Sequence, residues 1–236
     1  MSNRIFDTPK KTAEAFGDYL MKRASLSDFY HCALSGGSTP KLLFEYLSKQ
    51  YSDSGLWKRI HFYWGDERCV PPTDNESNFK MAESLLLNNI SIPAENIHRV
   101  HGESNPEREA DRYANELMEY VPTYKGLPVF DMIILGMGED GHTASIFPNQ
   151  MALMSSEHLC GVATHPTSGQ KRVTFTGHVI NSAKEVVFLV TGAGKKHKIK
   201  DIQKKLGDFY SYPAAHIFPT EGELNWYMDK EAAALL

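Results

Sequence analysis

The chain has 236 residues, 42% of them hydrophobic and 23% charged, with a formal net charge of −4. That length and apolar content suffice for one sizeable core, and the charge balance argues against a nucleic-acid surface, although Lys195 to Lys205 carries a local positive run. No apolar run approaches the roughly 20 residues of a membrane span and the N-terminus lacks a signal-peptide stretch, so we expect no membrane association and a single cytoplasmic domain over residues 1–236.

In chain order, residues 4–6 read as a short strand, followed by a helix that Thr8 caps and Pro9 opens, with Ala13, Phe16 and Leu20 on one face. Residues 29–34 read as a strand that ends in the turn Ser35-Gly36-Gly37-Ser38-Thr39-Pro40, after which Leu42, Leu43, Tyr46 and Leu47 recur at helical spacing. A Gly/Ser/Thr turn at the start of a helix offers free amides and hydroxyls to an anion. The spacing is not that of a P-loop, and the plainer reading is an ordinary capped turn. Residues 59–64 form the next strand candidate. The segment after it, from Gly65 to Asn78, is rich in turn formers and reads as a loop carrying Asp66-Glu67-Arg68, with Ser77 capping a helix through Phe79, Met81, Ala82 and Leu85. Arg68 has two readings, a bidentate phosphate ligand or a surface partner of Asp66 or Glu67. A strand near residues 97–100 and a helix opened by Asn105 and Pro106, with Tyr113 and Leu117 inward, complete the first part.

Residues 130–135 form an apolar run with Ile133 and Ile134 at its centre, the pattern of a fully buried strand. Directly after it come Gly136, Gly138 and Gly141, spaced as in a dinucleotide fingerprint and surrounding Glu139, Asp140 and His142. Two carboxylates would oppose a pyrophosphate and Pro148 stops any helix within two turns, so dinucleotide binding is set aside. An imidazole at the carboxyl end of a strand stands where open α/β sheets hold ligands, although a solvated turn histidine is the bland alternative. Residues 172–176 alternate as a strand. Residues 186–190 form a buried one ending in Thr191-Gly192-Ala193-Gly194-Lys195, and Lys195 or Lys196 opens a further helix. Residues 214–218 read as a short strand, and a last helix is expected from about Leu224.

Alternating strands and helices predict an α/β fold with a mostly parallel, Rossmann-like sheet, helices on both faces and small β additions. Parallel strands bring the turns that follow them to one edge. There the cradle of Ser35, Gly36, Gly37, Ser38 and Thr39, the Arg68 loop, the His142 loop and the Lys195 turn converge, an arrangement suited to a small phosphorylated molecule. Cys32, Cys69 and Cys160 lack CxxC spacing, and no compact His/carboxylate pattern appears, so neither a disulfide framework, nor a metal, nor any cofactor is expected.

These segments resemble the 6-phosphogluconolactonase family: Ser35 to Pro40, Asp66-Glu67-Arg68 with Val70-Pro71 and Ser77-Asn78, Asp140-Gly141-His142-Thr143-Ala144-Ser145, the Arg172 strand, and Thr191-Gly192 with Lys195. The resemblance covers essentially the whole chain. Glucosamine-6-phosphate deaminases share the fold and an Asp-Gly-His segment but usually continue with Ile-Ala-Phe-Asn-Glu-Pro, where this chain has Thr143-Ala144-Ser145-Ile146-Phe147-Pro148. The resemblance implies hydrolysis of 6-phospho-D-glucono-1,5-lactone, with His142 as general base, Asp140 as its orienting partner and amides of the glycine turn on the oxyanion. Ser35, Gly36, Gly37, Ser38, Thr39, Asp66, Arg68, Arg172 and Lys195 would then hold the phosphate and hydroxyls. Ser145 has no nucleophile-base spacing. An amino-sugar-phosphate deaminase or a non-catalytic sugar-phosphate binder remain as alternatives. The only partner expected is the small-molecule substrate, with no nucleic acid, in a monomer or homodimer.

Overall fold

The computed structural model describes residues 2–236. In order the strands are β1 (Ser2–Phe6), β2 (Tyr30–Leu34), β3 (Ile60–Trp64), β4 (Asp66–Arg68), β5 (Ile97–His98), β6 (Thr123–Tyr124), β7 (Leu127–Pro128), β8 (Met132–Leu135), β9 (Cys160–Thr164), β10 (Lys171–Phe175), β11 (Glu185–Val190) and β12 (Glu223–Asp229). The helices are α1 (Pro9–Ala24), α2 (Ser38–Gln50), α3 (Asn78–Leu85), α4 (Pro106–Tyr120), α5 (Gly177–Asn181) and α6 (Lys196–Lys204), with several 3₁₀ turns between them. Among the described residues no helix is long and apolar enough to cross a membrane.

Seven strands form one sheet in the order β1-β12-β11-β8-β2-β3-β5, and every pairing within it is parallel. Every residue of β2, β8 and β11 is buried, the signature of strands covered on both faces, as their largely apolar character predicts, with only His31 of β2 and Glu185 of β11 polar. Helix starts follow the capping chemistry of the sequence: the side chains of Thr8, Ser77 and Asn105 accept from the amides of Lys11, Lys80 and Arg108. Tyr113 of α4 fixes that helix to the sheet by accepting from the Trp64 amide at 2.8 Å.

Three expectations need correction. The tail from Leu224 is the strand β12, lodged between β1 and β11, and not a helix. Residues 214–218 contain a 3₁₀ turn, Pro213–His216, where Pro213 supplies a first-turn residue and no ladder donor. The Asp66-Glu67-Arg68 loop is itself a strand, β4, which joins β10 and β9 in a separate three-stranded antiparallel sheet. That small sheet sets the site's geometry. Asp66 lies opposite Thr174 and Arg68 opposite Arg172, so these alternate residues share one face. Glu67 and Val173 point the other way and are buried.

Candidate active site

The turns after β2, β3, β8 and β11 do meet at one edge, around a cleft of about 240 Å³. Ser35, Gly36, Gly37, Ser38, Thr39, Asp66, Arg68, His142, Arg172 and Lys195 all line it. Asp140 does not reach the wall. It stands behind His142, with Oδ1 2.6 Å from Nδ1 of the imidazole and 3.1 Å from the His142 amide.

The catalytic-loop candidate is shaped by its own backbone. Gly138 N–H donates to the His142 carbonyl at 2.9 Å and Gly141 N–H to the Gly138 carbonyl at 3.1 Å, closing a tight loop that Gly141 turns with φ +87°. The Thr143 hydroxyl donates to the Gly136 carbonyl at 2.8 Å and locks the loop to the end of β8. These bonds, with the His142 amide on Asp140, engage the glycine-turn amides expected to meet an oxyanion, so Gly138, Gly141 and His142 are not free to serve it. The His142 ring packs on buried Phe147, centroid to centroid 4.8 Å, and the Arg172 guanidinium lies 5.6 Å from the centroid of the Phe147 ring. Burial pushes the Asp140 carboxyl up, but the hydrogen bond and charge of His142 outweigh it and hold it below the ordinary carboxylate range.

Opposite the imidazole is the start of α2. Gly37 (φ +110°) occupies its N-cap without a side-chain hydrogen bond, so no side chain caps the first-turn amides of Ser38 and Thr39, which lie on the cleft wall at the positive end of the helix dipole. The turn is tied to its neighbour by the Thr39 hydroxyl, 2.8 Å from that of Thr191. Cations surround this cradle. Lys195 Nζ is held 3.3 Å from Glu139 Oε1. The Arg68 guanidinium pairs with neither Asp66 nor Glu67; it donates through Nη1 to the Glu76 carbonyl. Nε of Arg68 and Nε of Arg172 are both buried without a partner. Burial holds the Arg172 guanidinium below its usual range, with Asp66 opposing and the Arg68 charge adding to that effect. Two guanidiniums directly opposed on adjacent strands repel each other unless an anion joins them.

Several residues that stand in the resemblance motifs, but to which the sequence assigned no role in binding or catalysis, position this site. Glu67 is buried and accepts from the amides of Arg68, Asn78 and Phe79 and from the Ser77 hydroxyl, which anchors the start of α3 beneath the cleft. Burial raises its carboxyl while those four donors oppose the rise. Asn78 donates to the Asp66 carbonyl at 2.9 Å and fills the space beside Gly36. Ser145 donates to Asp66. Only the helix-capping role of Ser77 was visible beforehand. Among the described residues no group of three or more His, Cys, Asp or Glu side chains is placed to hold a metal.

Residues 7–226 match the family model described as "Glucosamine-6-phosphate isomerases/6-phosphogluconolactonase". A 6-phosphogluconolactonase of Haemophilus influenzae is 45% identical over 232 residues, covering 98% of each chain. The crystal structure of a protein named devB, also 45% identical, superposes with a TM-score of 0.95 over 99% of this chain and 98% of its own. The 6-phosphogluconolactonase of Trypanosoma brucei, 29% identical, superposes with a TM-score of 0.89 over 100% of this chain and 98% of its own.

Proposed function

The chain belongs to the glucosamine-6-phosphate isomerase/6-phosphogluconolactonase family, and on that premise we propose that it is a hydrolase opening 6-phospho-D-glucono-1,5-lactone to 6-phospho-D-gluconate, in the oxidative pentose phosphate pathway, with water activated by His142. The observation that carries the reading is the 2.6 Å contact of His142 Nδ1 with Asp140 Oδ1, on a cleft whose far side is an uncapped helix start flanked by unpartnered guanidinium nitrogens. A carboxylate can only accept, so Nδ1 keeps its proton and Nε2 presents a lone pair.

A lactone carbonyl is electrophilic enough for water once a base removes the proton during attack. The water oxygen adds to C1 while its proton passes to Nε2, and negative charge develops on the carbonyl oxygen. Collapse breaks the bond from C1 to the ring oxygen, which takes the proton back from the imidazolium. The Asp140 carboxylate stabilises that transient cation and fixes the ring's tautomer. We assign the cradle of Ser35, Gly36, Gly37, Ser38 and Thr39, together with Asp66, Arg68, Arg172 and Lys195, to the phosphate and hydroxyl groups. The first-turn amides of α2 and the two guanidiniums supply the positive field in which an anion would settle. No covalent intermediate enters the scheme.

The test is turnover of freshly prepared lactone with the spontaneous rate subtracted. His142→Ala is expected to lower kcat by ~10²- to 10⁴-fold with KM changed little. A variant with native kcat would remove His142 from the role.

A further inference from the structure

Ser145 follows His142 by three residues, yet it is not part of the cleft wall. Its side chain is fully buried behind that wall. The hydroxyl donates to Asp66 Oδ2 at 2.6 Å, and its lone pairs face Arg172 Nη1 at 3.4 Å. Its backbone amide is pinned by the Thr174 hydroxyl at 3.2 Å. One small side chain thus joins β4, β10 and the loop after β8. The loop turns sharply to deliver it: Ala144 has φ +47°, a left-handed conformation unusual for a residue with a Cβ, and Ile146 N–H closes on the Thr143 carbonyl at 2.9 Å.

Asp66 and Arg172 carry opposite charges and both line the cleft, but no ion pair joins them. What lies between them is the Ser145 hydroxyl. A close Asp–Ser contact resembles an activated nucleophile, but this oxygen is sealed from the cleft and its proton is directed to a carboxylate distant from His142 in the chain. We propose that Ser145 is a positioning residue: by occupying Asp66 Oδ2 with its proton and Arg172 Nη1 with its lone pair, it stops the carboxylate from closing on the guanidinium and leaves Arg172 facing the anionic end of the ligand. This rests on the reading that Arg172 grips a phosphate. Loss of the hydroxyl frees Asp66 to pair with Arg172, which then competes with the ligand for the same donor.

The experiment compares Ser145→Ala, Ser145→Thr and Ser145→Ala/Asp66→Asn with the native chain, using lactone turnover and, separately, calorimetric titration with inorganic phosphate. For Ser145→Ala, KM and the phosphate Kd are expected to rise about 10-fold or more while kcat stays within about 3-fold, the size of a lost hydrogen bond to a charged group. Threonine, which keeps the hydroxyl, restores both. Adding Asp66→Asn to Ser145→Ala recovers phosphate affinity, because no charge remains to compete for Arg172, and inorganic phosphate has no sugar hydroxyls that Asp66 would miss. Unchanged phosphate affinity in Ser145→Ala overturns the proposal. So does a double variant that binds phosphate no better than Ser145→Ala, or a fall in kcat alone. Should the alanine variant fail to fold by circular dichroism, Ser145→Cys retains the volume with a weak donor and is held to the same outcomes. If the native chain bound phosphate without opening the lactone, the lactonase reading would fail while the phosphate titrations still judged Ser145.

Discussion

A methyl group on Gly138 would lie 2.2 Å from His142 Nδ1 and 2.5 Å from Asp140 Oδ1. Gly138 has no positive φ, so it is the space and not the backbone angle that requires glycine there. Gly138→Ala must therefore part the two side chains, and a displacement of this size at a reacting group is expected to lower kcat roughly 10²-fold with the melting temperature little changed, as steady-state kinetics and a thermal melt would show. Asp140→Asn probes the same pair chemically. Its amide can turn a donor toward Nδ1, which moves the imidazole proton to Nε2 and removes the lone pair that water needs. Turnover is expected to fall ~10³- to 10⁴-fold without loss of product binding, and near-native kcat would detach Asp140 from the mechanism. His142, Asp140 and the cradle were legible in the sequence because a titratable side chain or hydroxyl stood among glycines directly after a buried strand. The roles of Ser145 and Asn78 were not, although both stand in the motifs, since each gains its meaning from partners further along the chain: Ser145 is 79 positions from Asp66 and Asn78 is 12. No local pattern encodes such a contact.

Secondary elements were readable where period and punctuation agreed, and misread where they conflicted. Residues 224–229 carry helix-compatible residues and precede an Ala-rich tail, yet they are extended because two parallel neighbours, β1 and β11, pair with both of their edges in a buried sheet. The three residues of β4 are too few to display a period of two, so the face shared by Asp66, Arg68 and Arg172 emerges only once β10 lies beside it. The opposite edge of the main sheet holds a feature that the sequence did not announce. His31 of β2, His61 of β3 and His98 of β5 stack in succession at 5.1 and 5.5 Å between ring centroids. His98 Nδ1 donates to Glu116 at 3.0 Å, so its Nε2 accepts from His61 Nδ1 at 3.2 Å, while His31 Nδ1 faces the Tyr63 hydroxyl. Burial, then the charge of His61, push the His31 imidazole down to about 4, with Asp131 opposing and His98 and Lys184 adding. An unfolded histidine takes up its proton near pH 6.5, so between there and about 4 the unfolded chain binds a proton that the folded chain refuses. His31 therefore makes no demand on stability above that window and an increasing one as pH falls through it, on the order of 3 kcal/mol when complete. Urea unfolding of the native chain and of His31→Gln between pH 7.5 and 5 should show a steeper loss in the native chain; equal slopes would remove His31 as the cause.

At the scale of the molecule, the cleft sits where the order of the sheet reverses. From β2 the chain moves outward through β3 and β5, whereas from β8 it moves the other way through β11 and β12. The loops leaving the adjacent strands β2 and β8 consequently part to opposite sides and open a crevice between the cradle and His142. The parallel class and the meeting of these turns followed from alternating strand and helix patterns, but the strand order did not, because it is set by which faces pack and not by any one segment. This arrangement leaves the free protein with a defined electrostatic imbalance: Arg68 and Arg172 oppose each other across β4 and β10, each with a buried nitrogen lacking a partner. An anion seated between them would relieve that repulsion, so ligand should stabilise the whole fold. At a phosphate or 6-phosphogluconate concentration of about 100 times Kd, linkage gives ~2.7 kcal/mol, or roughly 5–10 °C in melting temperature for a chain of this length. Arg172→Gln removes one of the opposed charges, so that variant is expected to melt at or slightly above the native temperature when free, and to lose most of the rise with ligand. A free variant melting many degrees lower, with its ligand response intact, would mean that Arg172 supports the small sheet and that the anion is held elsewhere along the cleft.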